Sequence, residues 1–66
     1  MQLNKTNVLI LLASKNMNQQ EFADSIEMSR GNFSALINGR SSTPKAAHRI
    51  AKALEVDVTE IIKKED

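Results

Sequence analysis

The 66-residue chain has no cysteine, tryptophan or tyrosine, and only one proline and one histidine. Without cysteine there is neither a disulfide nor a thiolate zinc site, and His48 alone cannot build a metal centre. No metal or cofactor is expected. A glycine-rich phosphate loop is missing as well, and a single histidine serves no Ser-His-Asp arrangement at plausible geometry. The acidic residues are scattered over cap positions and helix surfaces. Enzymatic activity and catalytic residues are therefore not expected. The longest apolar run, Val8 to Ala13, is too short to cross a bilayer, and no cationic region with a small-residue cleavage site frames it. A cytoplasmic protein without membrane association is the expectation. No stretch alternates with period two, so no sheet is expected. A strong basic excess is also lacking: the formal net charge is +1. For a nucleic-acid partner, the placement of charge must then matter more than its sum.

Apolar residues make up 41% and charged residues 26% of the sequence, proportions under which a chain folds rather than staying disordered. A single domain over residues 1–66 is expected, its small core feasible without staples. Apolar residues recur at helical spacing in five blocks: Val8, Leu11, Leu12; Phe22, Ala23, Ile26; Phe33, Leu36, Ile37; Ala47, Ile50, Ala51, Leu54; and Val58, Ile61, Ile62. The signals between blocks agree with five helices. Asn18 with Glu21 makes a capping box for the second. Ser29 caps the third, and Gly39 suits the left-handed residue that ends it. Thr43-Pro44 is a cap followed by a first-turn proline. Asp57 with Glu60 reads as a second capping box. The tail from Lys63 to Asp66 is expected to fray. The expected fold is thus a compact all-α five-helix bundle.

Only Glu27 and Met28 separate the second helix from the Ser29 cap. Two short helices joined so tightly cannot share a long antiparallel seam. They cross steeply, which leaves the third helix protruding, at a width that fits the major groove. With Phe33, Leu36 and Ile37 turned to the core, Arg30, Gly31, Asn32, Ser34 and Ala35 face outward. That face is small and polar with one arginine at its tip. A merely solvated helix would carry more Glu and Lys, and Gly31 and Asn32 are poor helix formers. Small residues permit close approach to base edges.

The segments Asn18-Gln19-Gln20-Glu21-Phe22-Ala23, Met28-Ser29-Arg30 and Leu36-Ile37-Asn38-Gly39-Arg40 resemble the Cro/repressor-type helix-turn-helix family, often called XRE. Ile50 to Val56 resembles the end of that family's fourth helix, and Asp57 to Ile62 its fifth. The resemblance covers nearly the whole chain and implies a lambda-repressor-like bundle that binds double-stranded DNA. It implies base contacts from Arg30, Gly31, Asn32, Ser34 and Ala35. Phosphate contacts are implied for Gln19, which also braces the first recognition side chain, and for Asn38, Arg40, Ser41 and Ser42. Ser29 and Lys45, at the starts of the third and fourth helices, are added as backbone contacts. Chemistry supports the base readers: arginine bonds O6 and N7 of guanine together, asparagine does the same for adenine, and the Ala35 methyl meets that of thymine. The chain departs from the family pattern at Leu12, where many relatives have arginine, and at Ile37, where many have glutamate.

Five further features remain. Leu9 and Ile10 give the first helix more apolar surface than one face needs, for packing under the C-terminal segment or for a protein partner. Ile61 and Ile62 are adjacent and cannot both meet one core line. Related repressors often dimerise through a short C-terminal helix, which marks Ile61 or Ile62 as a homodimer contact. Lys45, Arg49 and Lys52 read as a solvated face, His48 as a surface or boundary residue, and the three methionines as gap fillers. Two functions are consistent with all this. One is a transcriptional regulator, a repressor that binds an inverted-repeat operator as a dimer. The other is an interaction module, such as an antitoxin that neutralises a toxin and represses its own genes.

Overall fold

The computed structural model describes residues 1–63 and shows four α-helices and one 3-10 turn in chain order: α1 (Lys5–Ser14), α2 (Gln19–Ser25), α3 (Arg30–Ile37), α4 (Pro44–Leu54) and the turn Val58–Glu60. Each helix starts where a side chain can take an orphan amide of the first turn. Asn4 accepts from the Asn7 N–H at 3.1 Å, Ser29 from Asn32 at 3.1 Å and Thr43 from Ala46 at 3.1 Å. At α2 the box is complete: Asn18 accepts from the Glu21 N–H at 2.8 Å, and the Glu21 carboxylate accepts from the Asn18 N–H at 3.0 Å. Pro44 stands in the first turn of α4, and Gly39 follows the α3 cap with φ +117°.

The fifth helix is the one element that differs from expectation. It is a single 3-10 turn, and its cap is not the expected box. The Asp57 carboxylate accepts from the N–H and the hydroxyl of Thr59, both at 2.9 Å. Val58, Thr59, Ile61 and Ile62 are β-branched and favour extended backbone. The chain leaves the turn to form an antiparallel bridge between Leu3 and Ile62. The Asn4 N–H donates to the Ile61 carbonyl at 2.7 Å, and the Lys63 N–H to the Gln2 carbonyl at 2.8 Å. Lys63 is thus bonded rather than frayed; the rest of the tail lies outside the described residues.

The core joins Val8 and Leu12 of α1, Phe22 and Ala23 of α2, Phe33, Leu36 and Ile37 of α3, and Ala47, Ile50, Ala51 and Leu54 of α4, closed by Leu3, Ile26 and Ile61. The Phe22 and Phe33 rings pack α2 against α3 in a tilted pair, with centroids 5.2 Å apart. In α1 the apolar excess divides. Leu9 and Leu11 are half-buried against the core, while Ile10 stays 56% exposed. Met17 and Met28 pack on the core edge as gap fillers; Met1 is exposed.

Candidate nucleic-acid interface

The geometry of this face begins with the ends of α3. Its first turn, capped by Ser29, presents Arg30 and Gly31 to solvent, with Asn32, Ser34 and Ala35 half-buried behind them. A Cβ added at Gly31 would meet nothing within 4 Å, so the backbone there is open to close approach. Gln19, half-buried at the start of α2, lines a cleft of about 350 Å³ together with Asn18, Gln20 and Arg30. The side chains expected to grip the backbone and to read the first base therefore border one recess.

At the other end of α3, Asn38 is tightly engaged. Its Nδ2 donates to the Ser34 carbonyl at 2.8 Å and to Ser34 Oγ at 3.2 Å, while its Oδ1 accepts from Lys5 Nζ at 2.7 Å. The chain then reverses at Gly39, and the Arg40 N–H donates to the Ala35 carbonyl at 3.0 Å. The Arg40 guanidinium donates to Asn32 Oδ1. Gln2 Nε2 donates to the Gly39 carbonyl at 3.0 Å, which fixes the N-terminal segment beside this corner. Lys5 and Lys63 line a cleft of about 470 Å³ with Asn38 and Gly39. These two lysines have no local sequence signal. They join the site only through contacts between chain ends and the α3–α4 loop.

Ser41 remains exposed, its Oγ accepting from the Met1 amine at 3.3 Å. Ser42 does not fit the role expected of it. It is only 4% exposed, its hydroxyl donates to the Thr43 carbonyl at 3.2 Å, and its N–H donates to the Met1 carbonyl at 2.6 Å. The N-terminal segment lying across the loop turns Ser42 inward, so it is a packing residue rather than a phosphate donor. Lys45 is exposed on the first turn of α4, beside His48 and Lys52. Arg49 is more than part of a solvated face. Its guanidinium donates to the Ile26 carbonyl at the end of α2, which is how a cation satisfies helix C-terminal carbonyls.

Charge is segregated along the sequence. From Met28 to Leu54 the sequence has no Asp or Glu but carries Arg30, Arg40, Lys45, Arg49 and Lys52. Among the described residues the one ion pair is Lys15 with Glu55, at 3.4 Å. Among the described residues no carboxylate pairs with Arg30, Arg40 or Lys45, which suits a polyanionic partner. Residues 7–66 match the model of the Cro/C1-type HTH DNA-binding domain. The chain belongs to that family. No curated protein and no solved structure matches it significantly.

In this Cro/C1-type domain the matched residues take in α2, α3 and α4, whereas Gln2, Leu3 and Lys5, which bond or bridge to Gly39, Ile62 and Asn38, precede the match. Leu12 and Ile37, the two aliphatic departures, are both 2% exposed. The underside of α3 is accordingly held by apolar packing instead of a charged brace. Of the two residues expected at a homodimer contact, Ile61 is fully buried in the chain's own core and Ile62 is half-buried. No helix is long and apolar enough to cross a membrane, and no three His, Cys, Asp or Glu are placed to hold a metal ion, among the described residues.

Proposed function

We propose that this Cro/C1-type chain is a sequence-specific transcriptional regulator, a cytoplasmic repressor that binds an inverted-repeat operator as a homodimer. The observation that carries this is the outward face of α3. An arginine that pairs with no carboxylate among the described residues stands at its tip, small residues follow, and hydrogen-bond donors flank both ends. In this reading Arg30 bonds a guanine in the major groove, Gly31 lets the backbone come close, and Asn32, Ser34 and the Ala35 methyl complete the base contacts. Gln19, Ser29, Asn38, Arg40, Ser41 and Lys45 hold phosphates, which fixes register but carries no sequence information. Lys5 and Lys63 extend that grip. Ile62 makes the two-fold contact, and the half-sites lie about 34 Å apart.

Selection of bound duplexes from random DNA tests the proposal. Enrichment of two half-sites in inverted repeat, spaced by about one turn, is expected. Recovery of no motif would refute it.

A second reading has one observation in its favour, the exposure of Ile10 between half-buried Leu9 and Leu11. It makes the first helix a docking face for a protein, as in an antitoxin. Stable co-purification of a partner that is lost in the Ile10→Asp variant is the result that would favour it.

A further inference from the structure

Arg40 and Asn32 lie eight residues apart, yet the guanidinium of one holds the side-chain carbonyl of the other. The contact arises from how α3 stops. With Gly39 at φ +117°, the chain folds back and the Arg40 N–H docks on the Ala35 carbonyl. From there the side chain runs back along α3 past the stripe on which Asn32 and Ala35 stand three residues apart. A guanidinium only donates, whereas a carboxamide donates at one end and accepts at the other. The pairing therefore fixes which way round the Asn32 amide stands: Oδ1 faces Arg40, and the NH2 group is left to point away. The Asn32 main chain is held too, since its N–H donates to Ser29 Oγ at 3.1 Å.

We propose that Arg40 is a specificity-determining positioning residue, which presents Asn32 to the bases as a donor of fixed orientation. This rests on the assignment of α3 as the DNA-reading helix. In the major groove a donor finds acceptors on purine N7, guanine O6 and thymine O4, while cytosine offers only its N4 amino donor. An asparagine free to flip would accept from that amino group. One held by Arg40 does not, so cytosine is excluded at the base it faces. The guanidinium has five N–H donors. One side chain thus couples a phosphate grip to the reading of a base.

The test is a set of binding titrations with the full chain, its selected operator, and operators changed at the base pair whose preference Asn32→Ala abolishes. Arg40→Ala should weaken binding to every operator and also shrink the discrimination against cytosine at that pair by about fivefold or more. In an Asn32→Ala background, Arg40→Ala should change overall affinity only, the mark of a coupled pair. Arg40→Lys, which keeps the charge without the fork, should recover affinity more fully than discrimination. An equal loss on every operator in the Arg40→Ala variant overturns the proposal and leaves a phosphate grip alone. An Asn32→Ala variant that keeps every base preference overturns it as well. Wild-type protein with no sequence preference would give a different signature, removing the assignment of α3 itself.

Discussion

The Asp57 carboxylate is held below the usual range for aspartate, chiefly by the Thr59 backbone N–H and then by the Thr59 hydroxyl, with desolvation opposing weakly. A carboxylate whose folded pKa is depressed stabilises the fold above its unfolded pKa, and that contribution disappears as pH falls through the folded value. Thermal stability should therefore decline below about pH 4, and more shallowly in Asp57→Asn. Identical acid limbs in the two proteins would mean that the Thr59 bonds contribute nothing. The role of Asp57 as a cap was legible in sequence, but its partner was not, because Glu60 and Thr59 are both within reach of it. Ser42 and Ile61 show the same limit more sharply. Each sits in a suitable local pattern, a polar loop or an apolar pair. Each is buried by a segment about 40 or more residues distant in sequence, Met1 over the loop and Leu3–Asn4 beside Ile61. Local spacing carries no record of such contacts.

The turn joining α2 to α3 contains a non-glycine residue in the left-handed region, Glu27 at φ 56°. Its side chain is exposed, so replacing it removes no packing. The left-handed conformation costs about 1–2 kcal/mol for a residue with a Cβ, against about 0.5–1 kcal/mol of extra chain entropy for glycine. Glu27→Gly should stabilise the domain by about 0.5–1 kcal/mol, seen as a higher urea midpoint at unchanged slope. A lower midpoint would show that Glu27 makes a contribution beyond its backbone geometry. The helices themselves were legible because their signals are local: the Asn18–Glu21 box, the Ser29 and Thr43 caps, Pro44 and Gly39 all act within a turn. The segment from Val58 to Ile62 forms only a 3-10 turn, because its apolar spacing is helical while its β-branched composition is not. The composition won once Leu3 offered a pairing partner. Leu12 and Ile37 mark a further element-level substitution, in which packing supports the reading helix from below.

The described part of the molecule measures 32 × 22 × 18 Å, about one turn of DNA in its longest direction. In the proposed reading one copy covers one half-site of the operator and a second copy covers the other. Ile62 is the residue through which we expect the two copies to meet. The Ile62→Asp variant should lose dimer in sedimentation while keeping helical content; an unchanged dimer fraction would refute that contact. With a net charge of +1, general attraction to DNA is modest, and in the proposed reading affinity depends on the cations of the carboxylate-free stretch from Met28 to Leu54 and on dimerisation. The outward face of α3 was legible because helical periodicity alone assigns it. Lys5, Lys63 and the Arg40–Asn32 pairing were not, since folding alone brings them to that face. Whether α3 reads sequence through Arg30 is decided by titrating wild type and Arg30→Ala against the selected operator and against random DNA, with Gln19→Ala as the backbone-contact control. Arg30→Ala should cost about 1–3 kcal/mol on the operator and relax preference at one base pair, while Gln19→Ala weakens binding to both DNAs alike. An equal loss on operator and random DNA in Arg30→Ala would contradict the account, because Arg30 would then hold a phosphate and α3 would not read bases through it.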